Sequence, residues 1–174
     1  MNIKKNEEKF FSQEQLDYWG KFYSTEKELE KKQNEWLIFC VEKDFFAVQM
    51  ENIDEVTIIE NGIALPHVPK GVIGLINLRG EAVVLLDMAQ KLGIRETIEK
   101  NPNQRVIIFK KINNERIAFL IDKIYKVAAI KENELKEYDK TDNGLNKGII
   151  NFIYEFENKS ISCIDVSNLL RIIE

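Results

Sequence analysis

From Trp36 onward the chain is built of short runs of β-branched and aromatic residues, separated by residues that favour turns. Such runs predict strands, so this part of the chain is expected to form a mainly β domain. Turns are expected at 42–44, 78–81 and 113–114, and in the last two of these Gly80 and the two asparagines tolerate a left-handed backbone. The predicted strands are 36–41, 45–50, 74–78, 82–86, 105–112, 116–121, 150–156 and 160–164.

Two of these runs, 36–41 and 106–109, are apolar at every position rather than at alternate positions. A strand of a small barrel needs apolar residues only on its inner face. The outer face of these two strands must therefore be covered by a second β-subdomain, a helix or another protein.

The segment 74–92 is echoed weakly by the segment 152–170. Each reads as a strand, a turn and a second strand, followed by an aspartate and a short helix that ends in leucine. Asp87 and Asp165 are expected to cap these helices by accepting hydrogen bonds from free backbone N–H groups. Two similar β-subdomains packed on each other would explain the echo and the strands that are apolar on both faces.

Residues 1–35 form a polar, helix-prone extension ahead of the β domain at 36–174. Part of the extension has apolar residues at helical spacing, which predicts a helix with one apolar face. We expect this face to pack on the chain's own domain, with docking onto a partner as the alternative. The apolar residues are Leu16, Trp19, Phe22 and Tyr23.

Charge and hydropathy exclude several classes of protein. The formal net charge is −4 and the pI is about 5.3, whereas nucleic-acid-binding domains usually carry a clustered basic excess. We find no apolar run long enough to cross a bilayer and no apolar core of a signal peptide, so we expect a cytoplasmic protein without direct membrane insertion. Cys40 and Cys163 lie in apolar runs and are expected to be reduced core residues.

Residues that could carry catalysis are sparse. His67 is the one histidine of the chain and has no second histidine or nearby cysteine pair with which to bind a metal ion. The neighbouring carboxylates of Asp54 and Glu55 and those within 134–139 are typical of solvated faces. We therefore expect no catalytic residue, no metal ion and no cofactor.

Arg79 stands out because it immediately precedes Gly80 in a tight turn between two apolar strands. A guanidinium held in such a turn suits bidentate pairing with a carboxylate. That carboxylate can belong to the same domain, which would make Arg79 a residue of the fold, or to a partner. The sequence leaves both possibilities open.

In this context the chain resembles the CheW-like domain family of bacterial chemotaxis, from about residue 34 to residue 174. The most specific part is Asn-Leu-Arg-Gly at 77–80, and Leu85 departs from the proline that is common in the family. The other segments that carry the resemblance are 36–41, 45–50, 53–56, Pro66 with Pro69, Gly74, 83–87, 121–127, 163–165 and 169–170.

The resemblance implies two interlocked, five-stranded SH3-like β-barrel subdomains with short helices. It also implies an adaptor that binds the cytoplasmic tip of methyl-accepting chemotaxis receptors and the regulatory domain of the histidine kinase CheA, with possible assembly into rings or arrays. The alternatives are an adaptor of a non-chemotactic receptor–kinase pathway and, much less favoured, a small β-barrel that binds nucleic acid.

The resemblance further assigns roles to individual residues. Gly74 is a position at which substitution disturbs coupling. The residues tied to kinase contact are Ile53 and Glu55. The residues of the receptor-binding region are Asn77, Leu78, Arg79 and Gly80.

Overall fold

The computed structural model describes residues 35–59, 62–95, 103–111, 116–138 and 148–171. No helix within these ranges is both long and apolar enough to cross a membrane. The helices predicted for the N-terminal extension and the turn predicted at 113–114 lie outside the described residues.

The described part of the chain contains twelve strands, two short α-helices and two 3₁₀ helices of three residues each, Met50–Asn52 and Glu132–Glu134. The α-helices are α1 (Met88–Lys91) and α2 (Val166–Arg171). The strands, in chain order, are β1 (Glu35–Val41), β2 (Asp44–Gln49), β3 (Ile53–Thr57), β4 (Gly62–Ala64), β5 (Val72–Leu78), β6 (Glu81–Asp87), β7 (Arg105–Phe109), β8 (Ile117–Ile121), β9 (Lys123–Ala129), β10 (Leu135–Glu137), β11 (Ile150–Phe156) and β12 (Lys159–Ile164).

These strands form two six-stranded sheets with the same internal order. Sheet A runs β10-β11-β12-β2-β1-β9, and sheet B, read from the corresponding edge, runs β4-β5-β6-β8-β7-β3. The β12–β2 and β6–β8 pairs are parallel, whereas the other neighbours are antiparallel. The prediction of two similar β-subdomains is confirmed.

The two halves of the chain exchange hairpins. The β1–β2 hairpin precedes β3–β6 in sequence but pairs with β9 and β12, while β7–β8 pairs with β3 and β6. Each sheet therefore contains strands from both halves, which interlocks them. Each sheet has one strand more than the resemblance implies, and closure into SH3-like barrels stays a prediction.

The strands predicted to be apolar on both faces are buried on both faces. In β7, Ile107 and Phe109 join a cluster that draws on both sheets, while Val106 and Ile108 join a second cluster within sheet B. In β1, alternate residues divide in the same way between the shared cluster and a third cluster within sheet A. Burying each large side chain contributes about 1.5–3 kcal/mol, so a core layered in this way favours the packed sheets.

Both predicted helix caps are confirmed. Asp87 Oδ1 accepts a hydrogen bond from the backbone N–H of Gln90, and Asp165 Oδ1 accepts one from the backbone N–H of Asn168, each at 3.1 Å. The equivalent geometry shows that the sequence echo reflects a structural repeat. The prediction that Cys40 and Cys163 are reduced core residues is also confirmed, because both are buried and free.

A buried ionic cluster ties the two sheets together around Arg95. Its guanidinium contacts Asp87 at 3.0 Å, Glu42 at 2.9 Å and Asp122 at 3.4 Å. Asp87 ends β6 of sheet B, whereas Glu42 lies in the β1–β2 turn of sheet A. Burial alone would lower the pKa of Arg95, but its hydrogen bonds with Asp87 and Glu42 reverse this and raise the pKa. Arg95 therefore stays charged and fixes these two elements to each other.

Candidate functional site

The four residues expected to contact the receptor form a single hairpin turn between β5 and β6. Leu78 pairs with Glu81, so the central residues are Arg79 (φ +51°) and Gly80 (φ +90°). Two central residues with positive φ define a type I′ turn, which matches the twist of the flanking strands. Asn77 Oδ1 accepts a hydrogen bond from the backbone N–H of Gly80 at 2.8 Å, and Leu78 is buried. The turn therefore presents Arg79 on a fixed backbone.

The Arg79 side chain pairs with Glu55 on the edge strand β3. Arg79 Nη2 lies 2.8 Å from Glu55 Oε2, and the two side chains are 79% and 29% exposed. The guanidinium thus meets a carboxylate within the domain, but the pair is open to solvent. A partner can reach most of the Arg79 side chain without any movement of the backbone.

Further ion pairs surround this turn. Arg116, ahead of β8, contacts Asp54 at 2.9 Å and Glu81 at 3.0 Å, and Lys111 contacts Glu81 at 2.9 Å. The hydrogen bond from Lys111 and its positive charge lower the pKa of Glu81. Glu81 therefore stays ionised at neutral pH. We call Asp54, Glu55, Arg79, Glu81 and their basic partners Lys111 and Arg116 the charged end of sheet B.

The other two predicted site residues take structural positions. Ile53 is only 8% exposed and belongs to the cluster shared by the sheets, so it is not the accessible apolar anchor that a surface contact needs. Gly74 lies in β5 opposite Ala64 of β4 with φ +155°, and a Cβ there would overlap the carbonyl oxygen of Ile63. The geometry gives Gly74 a backbone reason to be glycine, while its role in coupling stays a prediction.

Exposed apolar side chains follow β3 and lie in β4, the two edge strands of sheet B. Ile58 and Ile59, which follow β3, are 49% and 41% exposed, and Ile63 of β4 is 68% exposed. Ile59 lies close to β4, since its Cγ2 is 3.8 Å from the position of a Cβ at Gly62, and large exposed apolar side chains that lie together often mark a protein-interaction surface. The sequence prediction missed this group, although two successive isoleucines directly after an acidic strand were a usable signal.

Sheet A carries an equivalent turn between β11 and β12. Its central residue Glu157 (φ +47°) occupies the position of Arg79 (φ +51°). Lys159, the first residue of β12, corresponds to Glu81, the first residue of β6. At each of these two turn positions, the side chain in sheet A therefore has the opposite charge to the corresponding side chain in sheet B.

The edge strands show the same inversion. Glu55 of β3 pairs with Ile108, and Lys126 of β9 pairs with Ile38, each just beyond a shift in register. Lys126 thus corresponds to Glu55, and the charge is again reversed. We call Lys126, Glu157 and Lys159 the charged end of sheet A.

The side chains at this end contact nearby aromatic residues. Lys126 Nζ lies 3.2 Å from the centroid of the Phe156 ring, a favourable cation–π geometry. The Tyr125 hydroxyl donates a hydrogen bond to Glu157 Oε2 at 3.1 Å. The lysines are therefore held against aromatic rings, whereas Glu55 and Glu81 are held in ion pairs. The sequence prediction did not identify this end.

Within the described ranges, no group of three or more His, Cys, Asp or Glu side chains could hold a metal ion. Burial raises the pKa of Cys163 to about 12 and also raises the pKa of Cys40. Both thiols are therefore protonated at neutral pH, and thiolate chemistry is not available to them.

Comparisons with known proteins agree with this geometry. A family profile described as "CheW-like domain" matches residues 35–174. The chain is 34% identical over 107 residues to the "Chemotaxis protein CheW" of Thermotoga maritima, which covers 60% of this chain and 67% of the relative. It is 23% identical over 144 residues to the "Probable chemotaxis protein CheW" of Rhizobium etli, which covers 82% of this chain and 91% of the relative.

A solved structure shows the same fold. The crystal structure of the scaffolding protein TtCheW from Thermoanaerobacter tengcongensis superimposes with a TM-score of 0.70 at 21% identity. The match covers 79% of this chain and 87% of that chain. Together with the profile that spans residues 35–174, these matches show that the chain belongs to the CheW-like domain family of chemotaxis scaffold proteins.

Proposed function

We propose that this chain is a cytoplasmic adaptor that couples the tips of methyl-accepting chemotaxis receptors to the histidine kinase CheA. The observation that carries the proposal is the Arg79 side chain, which is 79% exposed on a type I′ turn. A fixed and accessible guanidinium is suited to bind a carboxylate of a partner. Binding of this kind requires no catalytic residue.

The ion pair with Glu55 allows the two partners to influence each other. An exposed pair of this kind contributes only about 0–1 kcal/mol, so a receptor carboxylate can displace Glu55 from Arg79 at small cost. Glu55 belongs to the surface proposed for the kinase, and its charge is then no longer neutralised. Receptor binding would thereby change the affinity for the kinase, which is the requirement for coupling between two sites.

The exposed isoleucines supply the apolar part of the proposed receptor contact. Ile58 and Ile59 follow β3, the edge strand that holds Glu55, and Ile63 of β4 pairs with Leu75 of β5, the strand that leads into the Arg79 turn. An amphipathic receptor helix can place apolar side chains on these residues and a carboxylate next to Arg79. The apolar contact would provide affinity, and the ion pair would fix the orientation.

The inverted charges at the two ends support a further part of the proposal, assembly into rings or arrays. Glu55, Arg79 and Glu81 on sheet B correspond to Lys126, Glu157 and Lys159 on sheet A. Residues of opposite charge at matching positions can pair across a contact and so favour a head-to-tail arrangement of CheW-like domains. Repeated head-to-tail contacts form rings when the rotation closes.

A binding experiment tests the receptor part of the proposal. Arg79→Ala is compared with Arg171→Ala, which removes an exposed arginine at the end of α2 in the other half of the domain. Each variant is titrated with a cytoplasmic receptor fragment and, separately, with the CheA regulatory domain. Arg79→Ala is expected to weaken receptor binding at least tenfold, and Arg171→Ala is expected to leave it unchanged. Equal receptor affinity of the two variants would contradict the proposal.

A further inference from the structure

A cleft of about 560 Å³ opens in sheet A at the end opposite the β11–β12 turn. Its apolar wall includes Trp36, Ile130, Leu135 and Phe152, while Glu51 belongs to its polar rim. The cleft lies where β1 begins and where β2 and β12 end. None of the contacts assigned above to the receptor or to the kinase uses it.

The chain enters the domain at this cleft. Strand β1 begins at Glu35, whose next residue, Trp36, lines the cleft. The 34 residues that precede Glu35 are therefore joined to the domain beside the cleft. They contain the apolar residues whose helical spacing predicts an amphipathic helix, namely Leu16, Trp19, Phe22 and Tyr23.

The connection between the predicted helix and Glu35 is long enough for the helix to fold back. Residues 24–34 can span about 16 Å as a helix, at about 1.5 Å per residue. The same residues can span about 36 Å when extended, at about 3.3 Å per residue. In either form the apolar side chains can reach a cleft that begins beside Trp36.

We propose that residues 12–23 fold back and fill this cleft with their apolar face. Two features select this occupant over a second copy of the chain. The segment is tethered beside the cleft, which gives it an effective concentration on the order of millimolar. The lining of the cleft is mixed, so the apolar face of the segment can contact Trp36 and Leu135 while its polar residues face side chains such as Gln49 and Asn151. Filling the cleft removes the apolar surfaces of both parts from water.

Fluorine-19 NMR of the full chain with 5-fluorotryptophan at both tryptophans, Trp19 and Trp36, tests the proposal. The variant Trp19→Phe assigns the two signals. A solvent-exposed fluorotryptophan shifts when H₂O is replaced by D₂O, whereas a buried one does not. In the unmodified chain the Trp19 signal is expected to show almost no solvent isotope shift.

Two variants are expected to expose Trp19. Leu135→Lys places a charge in the half-buried wall of the cleft, and Leu16→Ser removes an apolar contact from the side of the extension without touching the β domain. Each should give Trp19 the full solvent isotope shift. The control Ile63→Lys changes a 68% exposed side chain in sheet B and should leave Trp19 protected.

Three outcomes would overturn the proposal. The first is a full isotope shift of Trp19 in the unmodified chain, which means that the segment is not docked. The second is continued protection of Trp19 in Leu135→Lys, which means that it docks elsewhere. The third is protection that disappears on dilution together with a dimer, which means that the cleft is filled by a second copy.

Discussion

Arg79 Nη2 lies 2.8 Å from Glu55 Oε2, so the turn residue expected at the receptor contact and the edge-strand residue expected at the kinase contact form one ion pair. The sequence left open whether the guanidinium meets a carboxylate of its own domain or of a partner. The structure shows a carboxylate of the same domain, held in an exposed pair. An exposed pair is weak enough to be exchanged, so pairing within the domain does not prevent contact with a partner.

The first prediction is that Arg79→Ala leaves the fold intact. The backbone of the turn is held by Gly80 and by the Asn77 hydrogen bond, and the removed ion pair is mostly solvent-exposed. The free energy of unfolding should fall by no more than about 1 kcal/mol in a denaturant titration. A loss of about 3–5 kcal/mol would instead mean that the guanidinium satisfies a buried charge, and Arg79 would then be a residue of the fold.

A companion variant separates the side chain from the backbone strain. Arg79 has φ +51°, a conformation that costs a non-glycine residue roughly 1–2 kcal/mol. Arg79→Gly removes the ion pair but also relieves this strain, so it should be at least as stable as Arg79→Ala. Both variants should lose receptor binding to the same extent, because both lack the guanidinium.

The second prediction separates Ile53 from Glu55. Ile53 is buried in the cluster shared by the sheets, so Ile53→Asp should lower the free energy of unfolding by more than about 2 kcal/mol and weaken the binding of both partners. Glu55→Lys changes a surface charge and should keep the fold while weakening kinase binding. Circular dichroism melts and titration with the CheA regulatory domain measure the two effects. Normal stability of Ile53→Asp would contradict its place in the core.

The third prediction concerns Gly74 and uses Gly62 as a matched control. A Cβ at Gly74 would overlap the backbone of Ile63, so Gly74→Ala should displace β4 and cost more than about 1 kcal/mol of stability. A Cβ at Gly62, in the strand paired with β5, would meet its nearest atoms at an ordinary 3.8 Å. Gly62→Ala should therefore be tolerated in a denaturant titration. Equal stability of the two variants would mean that β4 adapts at no cost.

The fourth prediction concerns assembly through the charged ends. If opposite charges hold neighbouring domains together, self-association should weaken as salt is raised, because salt screens exposed charges. Lys126→Glu combined with Lys159→Glu gives these two positions the same sign of charge as Glu55 and Glu81, which correspond to them in sheet B, and should abolish self-association in sedimentation velocity. Association that persists in this double variant at low salt would contradict a contact between the charged ends.

The strands that the sequence predicted and the strands that it missed occupy different places in the two sheets. All eight predicted segments correspond to strands in the interior of a sheet. The missed strands β3, β4, β9 and β10 are the four sheet edges. An interior strand pairs with a neighbour along each edge. One of its faces packs against the cluster shared by the sheets and the other against the cluster of its own sheet, so its sequence is strongly apolar. An edge strand such as Lys123–Ala129 is mostly exposed, and its sequence shows neither a continuous apolar run nor a strict alternation of polar and apolar residues.

The candidate site was predictable in part for a related reason. The turn at 77–80 has a local signature, since Asn and Gly at fixed positions specify a hairpin. The partners of Arg79 and Glu81 are not local, because Glu55, Lys111 and Arg116 come from other strands. The burial of Ile53 depends on the exchange of hairpins between the two halves, which brings β7 next to β3. Contacts of this kind follow from tertiary pairing, which neither spacing nor composition specifies.

The last prediction is that Arg95 holds the two sheets in place. Its side chain is 11% exposed and contacts Asp87, which is fully buried at the end of β6. Arg95→Met keeps a similar volume but leaves the Asp87 carboxylate without its cation, so the free energy of unfolding should fall by about 3–5 kcal/mol. The control Glu42→Gln removes a partner that is 37% exposed and should cost no more than about 1 kcal/mol.

Replacing Asp87 by Asn in the Arg95→Met chain should restore part of the stability, because no buried charge then remains unpaired. Denaturant titrations of these three variants measure the coupling, and equal losses in Arg95→Met and Glu42→Gln would mean that the buried cluster does not fix the sheets.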